Sequence, residues 1–445
     1  MTVRPRRLAR RDFLKTSALA LGASTFSLPT LIPARALGAN ERLTLGHVGV
    51  GGMGSYHLGY MLDRRNNPGD VSVAAVCDVD ENRLATAIKR VGAGGTPYRD
   101  YRYLIERKDI DAVVFATPDH WHGVHMVHAA QCGKHVYVEK PACCTVEEGK
   151  AMIAAANAHR VCVQVGSQGR SQHDAYKAHL YIANGMLGRV RRVTCWHYAS
   201  PADTHPVPDS EPPPELDWDL WLGPLAWRRY NRRYCPGTFR WVMESGGGQI
   251  RDRGAHVMSC ALHFMDADYT GPVSIETKGT VPTQGLWDTA IDMEVTYEFK
   301  NPDWTLVWAQ PGEPVPYPNQ NHKERQKGYG AVYHGDQDQL VVWGGDGGTW
   351  TEAKATQFEK PPGGVDVPQS PRFDHHQDWF DGIKTGRRTI MNIEAGVCVA
   401  FLCVLGNLSL LLGRKLQWDP VKREILGDEE ARRLMRRPQR YPYVL

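Results

Sequence analysis

Leu43-Thr44-Leu45-Gly46-His47-Val48 runs directly into Gly49-Val50-Gly51-Gly52-Met53-Gly54, and the reading of this stretch decides the fold. A β-rich run feeding a G-x-G-x-x-G turn, with a helical stretch after it, is the arrangement that holds a dinucleotide. Gly49 permits the tight turn, Gly51 and Gly52 let the backbone approach a pyrophosphate, and Gly54 lets the helix pack against the strand. Met53 lies within the same turn. The helix N-terminus then faces the negative charge of the phosphates. A second β-rich run, Val71–Cys77, ends at Asp78, twenty-four residues past Gly54. A carboxylate there accepts hydrogen bonds from the adenosine ribose and repels a 2′-phosphate, which favours NAD over NADP. Arg83 is near enough in sequence to leave NADP open.

Outward from that turn, short β-rich runs alternate with helical ones. Strands are expected at Leu43–Val48, Val71–Cys77, Asp111–Ala116, His135–Val138 and Val161–Val165. Helices are expected at Gly54–Arg65, Glu81–Arg90, Gly123–Cys132 and Val146–His159. Such alternation builds a parallel sheet with helices on both faces, an α/β Rossmann domain over residues 42–165.

Two further strands end in chemistry. The third leads into Ala116-Thr117-Pro118-Asp119-His120-Trp121-His122 and the fourth into Glu139-Lys140-Pro141. Both lie at carboxyl ends of strands, where open α/β sheets bind ligands. Far downstream stands Gly246-Gly247-Gly248-Gln249-Ile250-Arg251-Asp252-Arg253-Gly254-Ala255-His256. Asp252 and His256 are four apart, so an α-helix would put them on one face, where a carboxylate orients an imidazole and stabilises its protonated form. Lys140 would sit near the nicotinamide, whose positive charge lowers a neighbouring ammonium pKa. A tuned base of this kind is what removal of a hydroxyl proton requires.

A T-P-x-x-x-H loop, an E-K-P and a downstream G-G-G-x-x-x-D-x-G-x-H, in that order, resemble the Gfo/Idh/MocA family, and the resemblance spans nearly everything after Arg42. It implies a second, α+β domain over residues 166–445 with a large open, mostly antiparallel sheet that carries the substrate site and forms homo-oligomer contacts. It implies Lys140, Asp252 and His256 as catalytic residues, with the choice of proton acceptor between Lys140 and His256 left open. It also places Thr117, Pro118, His122, Glu139 and Lys140 beside the cofactor. The implied activity is oxidation or reduction at a carbinol of a sugar or polyol. An alternative is a redox-neutral glycosidase or lyase working through a 3-keto sugar. The related NAD-dependent glycosidases carry a Tyr-Pro-Thr-His-Gly run around the histidine, from which the D-x-G-x-H form here departs.

The remainder supplies candidates for a carbohydrate site. Gln168 and Arg170 follow a strand end. Arg232, Tyr234 and Arg240 belong to an aromatic and basic segment just before the triple glycine, and such side chains pack on sugar faces and bind hydroxyls or carboxylates. Helix Gln172–Leu187 and strands Arg189–Tyr198, Val273–Lys278, Ile291–Phe299, Thr305–Ala309 and Gln339–Trp343 are expected. A Gly/Pro/charge-rich loop, 311–329, is expected to overhang the site, and the tail from Trp418 reads as a surface strap.

Charge excludes a nucleic-acid role. Of the formal +4, residues 1–36 carry seven basic side chains and one acid, leaving the rest at −2, which has no electrostatic hold on DNA or RNA. Those residues resemble a twin-arginine (Tat) signal: Arg10-Arg11-Asp12-Phe13-Leu14-Lys15, an uncharged stretch, then Ala34-Arg35-Ala36 as a cleavage pattern. Export to the periplasm follows, with no membrane span after the signal is removed. The uncharged stretch from Ala395 to Gly413 reads as a buried core helix, because its apolar residues fall on a helical stripe. Ten cysteines show no C-x-x-C pair and no zinc spacing, so buried thiols and no metal are expected.

Overall fold

The structure, a computed structural model, describes residues 42–66, 68–315, 329–345 and 348–445. The proposed signal and most of the 311–329 loop lie outside them.

Six parallel strands form the first sheet: β1 (Leu43–Val48), β2 (Val71–Cys77), β3 (Thr96–Tyr98), β4 (Ala112–Phe115), β5 (His135–Glu139) and β6 (Val163–Gly166), in the order β3-β2-β1-β4-β5-β6. The reversal of order falls between β1 and β4, the switch point at which such sheets take their ligands. The connecting helices are α1 (Gly52–Asn66), α2 (Glu81–Val91), α3 (His122–Gln131) and α4 (Val146–His159). Their starts follow local chemistry: Asp80 accepts from the Asn82 and Arg83 amides ahead of α2, and Thr145 accepts from Glu148 N ahead of α4. Strand β3 is too short, three residues, to carry a period in the sequence.

Nine strands form the second sheet: β7 (Val190–Trp196), β8 (Ser274–Thr280), β9 (Asp292–Phe299), β10 (Trp304–Gln310), β11 (Tyr329–Gly335), β12 (Gln339–Gly345), β13 (Gly348–Thr351), β14 (Leu416–Asp419) and β15 (Glu424–Leu426). Their order is β13-β12-β11-β7-β10-β9-β8-β14-β15, antiparallel throughout except for the β7–β10 pair. Helices α5 (His173–Ala183), α6 (Ala255–Phe264) and α8 (Ile393–Leu412) pack on one face of this sheet, while α7 (His375–Thr385) joins the Rossmann core through Trp379, Phe380 and Ile383. Helix α8 is long and apolar enough to cross a membrane, yet 83% of its apolar window is buried inside the protein. One hydrophobic core runs from α4 through α8 to β8, β9 and β11, so the two sheets are held as a unit.

The cysteines are free, and eight of the ten are buried. No cluster among the described residues has metal-holding geometry.

Candidate active site and dinucleotide cleft

Two cavities meet at the carboxyl edge of the first sheet. One, about 340 Å³, is lined by Gly49, Gly51, Gly52, Met53, Asp78, Thr117, Pro118, Glu139 and Lys140. The other, about 560 Å³, lies between the two sheets and is lined by Gln168, Asp252 and His256 among others. Met53, Glu139, Lys140 and Arg240 belong to both walls and mark the junction.

The glycines act through close approach. Gly49 has φ +79°, and a Cβ there would sit 2.7 Å from Ala116 O; a Cβ on Gly54 would sit 1.8 Å from Gly49 O. At Gly52 nothing lies within 4 Å of where a Cβ would stand, so the first turn of α1 opens onto the cavity. An extended dinucleotide fits this donor set: a helix N-terminus for phosphate, and a carboxylate at the end of β2 for ribose. Asp78 accepts from Val50 N at 2.8 Å and Asp80 N at 3.0 Å, which fixes it against the glycine turn. Burial pushes its carboxyl up, and these two amides pull it back. Arg83 also lines the cavity, its Nη1 2.5 Å from a notional Cβ on Gly51. The far wall comes from the second domain, through Leu220, Trp221, Pro236 and Phe239.

At the junction Lys140 Nζ donates to both Asp252 O and Asp252 Oδ1, each at 2.8 Å. Arg240 Nε donates to the same Oδ1 at 3.2 Å, and Arg253 Nε lies 3.6 Å from Oδ2. Burial would raise the Asp252 carboxyl, but Lys140 and Arg240 outweigh it and hold the group well below the usual range. Glu139 is treated alike. Burial opposes its charge, yet hydrogen bonds from His57 Nε2 and Gln168 Nε2, both at 2.8 Å, bring it down to about 2.

Asp252 and His256 do not pair as expected. No hydrogen bond joins them, and burial followed by the nearby Lys140 charge lowers the His256 pKa to about 3, so its ring is neutral rather than stabilised as a cation. The reason is local geometry. Residues 250–254 form a π-helical turn, whose wider i→i+5 spacing takes residue 252 out of line with residue 256. The His256 ring instead lies nearly parallel to Tyr329, with centroids 6.4 Å apart.

Four other expectations are corrected. Arg170 is fully buried behind the cleft, where it pairs with Asp268 at 2.6 Å and donates to Ser259; a guanidinium following a strand end found a structural partner 98 residues away. Tyr234 is fully buried against Trp218 and Trp221 in a separate aromatic core. Arg232 is exposed and lines neither cavity. His122 is buried behind the cofactor loop, its ring nitrogens 2.8 Å from Pro141 O and 2.9 Å from Thr117 O, and so ties the two motif loops together without lining the cavity. Of the five substrate candidates, Gln168 and Arg240 reach the cleft. No local pattern marks His57, 82 residues from its partner Glu139, nor Tyr56, Gln172, Tyr329 or Thr349 in the wall.

Residues 43–167 match the family model described as "Oxidoreductase family, NAD-binding Rossmann fold", and residues 181–302 with 334–445 match "Oxidoreductase family, C-terminal alpha/beta domain". The chain belongs to the Gfo/Idh/MocA oxidoreductase family. Its N-terminal sheet is therefore an NAD-binding Rossmann domain. Among Gfo/Idh/MocA relatives, it is 32% identical to a "Glycosyl hydrolase family 109 protein" of Shewanella pealeana, over 32% of this chain and 35% of that one. It is 31% identical to an "Inositol 2-dehydrogenase" of Salmonella typhimurium, over 35% of this chain and 46% of that one. The chain thus spans less than half the length of these curated relatives. The WlbA dehydrogenase from Bordetella pertussis, solved with NADH and UDP-GlcNAcA, shares the fold at a TM-score of 0.61 and 16% identity, over 85% of this chain and 99% of that one.

Proposed function

We propose that this protein is an NAD-dependent oxidoreductase acting on a CH–OH group of a sugar or polyol. The observation that carries the reading is the junction itself, where Lys140 and Glu139 belong at once to the dinucleotide cavity and to the cleft holding His256. NAD bound along the glycine turn supplies the two-electron acceptor. His256, neutral because of burial, has a ring lone pair that accepts a hydrogen bond from the substrate hydroxyl; with its pKa lowered to about 3 the ring alone is a weak base, so the proton acceptor is not assigned between it and Lys140. Lys140 spends two hydrogen bonds on Asp252, and an ammonium has three to give, so the third steadies the substrate oxygen. Asp252 is a positioning residue that fixes that ammonium, with Arg240 alongside.

Replacing His256 or Lys140 by Ala should lower turnover by at least about 10²-fold, while a fluorescence titration should find NAD still bound more tightly than NADP. Asp78→Ala should narrow that preference. Near-parental turnover in either Ala variant would remove that residue from the chemistry, and tighter NADP in the parent would promote Arg83.

A redox-neutral glycosidase is the second reading, favoured by the 32% identity to the family 109 protein and opposed by the D-x-G-x-H form at Asp252–His256. The oxidoreductase leaves a lasting rise in reduced-nicotinamide absorbance with a reactive sugar. Sustained glycoside cleavage without that rise, with deuterium entering C2 in D2O, would select the second.

Export by the twin-arginine route is proposed on the N-terminal pattern alone. Arg10→Lys with Arg11→Lys should leave precursor in the cytoplasm, and normal export of that variant would defeat the assignment.

A further inference from the structure

The larger cavity is chemically divided along its length. At the junction end stand Glu139, Lys140, Arg240, Asp252 and His256, all ionisable. Helix α6 carries the wall from His256 one turn on to Cys260, and there the lining changes to Val257, Cys260, Ala331, Tyr333, Val342 and Gly344. Ala331 and Tyr333 alternate along β11, so they share one face, and Ala331 is the direct cross-strand partner of Val342 on β12. The charged groups come from the end of β5, residues 240–252 and the first turn of α6, and the apolar ones from α6 beyond His256 and from the β11–β12 pair.

Most polar groups beside the apolar end are already engaged; among the described residues the exceptions are the Gln172 side-chain N–H2 at the rim and the Tyr333 hydroxyl, which is buried away from solvent. Gln172 Oε1 accepts from Thr349 N, Thr349 Oγ1 donates to Gly169 O at 3.3 Å, and Trp343 Nε1 donates to Val315 O at 2.8 Å. A second sugar ring placed there would find one free side-chain amide, and most of its hydroxyls would lose their hydrogen bonds to water unreplaced. An apolar group placed there loses none and gains by burial. The cavity, about 560 Å³, is well inside the size range of clefts that enclose drug-sized ligands, and one pyranose ring does not fill it.

We propose that the substrate is a glycoside with an apolar aglycone, its sugar ring at the Lys140–His256 end and its aglycone between α6 and the β11–β12 pair. The proposal rests on the sugar-oxidoreductase reading and adds the substrate class to it. The aglycone touches no reacting atom. Its burial binds the sugar in one orientation, so that a single ring carbon is presented at the junction.

The test uses the full chain loaded with NAD and matched methyl and phenyl glycosides of glucose, galactose, mannose and N-acetylglucosamine, both anomers, with Kd measured by calorimetry. For the sugar that binds, the phenyl glycoside should bind at least about tenfold tighter than the methyl one, the scale expected for burying an aromatic ring. Ala331→Leu, which fills the apolar end, should bring the methyl-to-phenyl Kd ratio towards one. Val342→Thr, nearly isosteric and polar, should lower the ratio partway. NAD titration and the melting curve of each variant establish that it is folded. Equal Kd values for phenyl and methyl glycosides would overturn the aglycone site and leave the sugar reading standing. A protein that binds NAD but no glycoside of either kind would overturn both. A ratio untouched by Ala331→Leu in folded protein would overturn the placement.

Discussion

His47 sits one residue from the C-terminal end of β1 with no solvent exposure, and neither ring nitrogen has a hydrogen-bond partner among the described residues. Burial lowers its pKa to about 3, with the nearby His57 and Arg90 adding to the effect. The unfolded chain binds a proton at this residue below about pH 6.5, while the folded chain resists it until about pH 3, so stability falls as pH drops through that window. The slope is at most about 1.4 kcal/mol per pH unit for one histidine. His47→Leu removes that contribution and the cost of an unpartnered buried imidazole. Its melting temperature should match or exceed the parent's at pH 7 and fall less steeply from pH 6.5 to 4. An unaltered acid slope would show that His47 is not among the groups that set it.

At the scale of elements, the crossing of α4 and α8 decides how the first sheet meets the second. The helices approach through glycines: a Cβ on Gly149 would lie 2.6 Å from the Phe401 ring, and one on Gly396 would lie 2.4 Å from Val165 Cγ2. Val165 belongs to β6, which delivers Gln168 to the cleft. Overpacking there has no soft atom to displace. Gly396→Val should destabilise by about 1–3 kcal/mol, read as an earlier urea midpoint at unchanged slope. A midpoint equal to the parent's would mean the helices have slack the packing does not suggest.

Across the whole molecule, the C-terminal tail works as a clasp. Arg437 bonds the buried Glu148 at 2.9 Å, and donates to Glu244 O and, at 3.1 Å, to His120 O. Arg440 donates to Gly223 O at 3.0 Å, and Tyr443 OH to Asp219 at 3.0 Å. Four segments, around residues 120, 148, 219–223 and 244, are held by one tail, and one of them carries the Leu220–Trp221 wall of the dinucleotide cavity. Arg437→Ala leaves Glu148 buried beside an empty place, a loss of about 3–5 kcal/mol for one broken buried pair. The variant should melt earlier and bind NAD less tightly. Unchanged NAD affinity in a destabilised variant would confine the clasp to stability.

By itself the sequence determined the Rossmann order of strands and helices, because its signals are local: β1 and β2 at their observed limits, α4 at Val146–His159, and glycines whose spacing has one structural use, while the three-residue β3 went unread. It also identified α8 as a core helix, since an apolar stripe broken by Asn407 and glycines needs a protein interior. Tertiary structure alone decided what each charged side chain of the second half is for. Arg170, Arg232 and Arg240 look equivalent in sequence, yet one is sealed on Asp268, one faces solvent, and one meets Asp252 in the cleft. The pairing of Lys140 with Asp252, 112 residues away, together with the neutral state of His256, follows from a π turn and from burial. Both are properties of the packed chain, because desolvation and Coulomb energies depend on distances that no local spacing encodes.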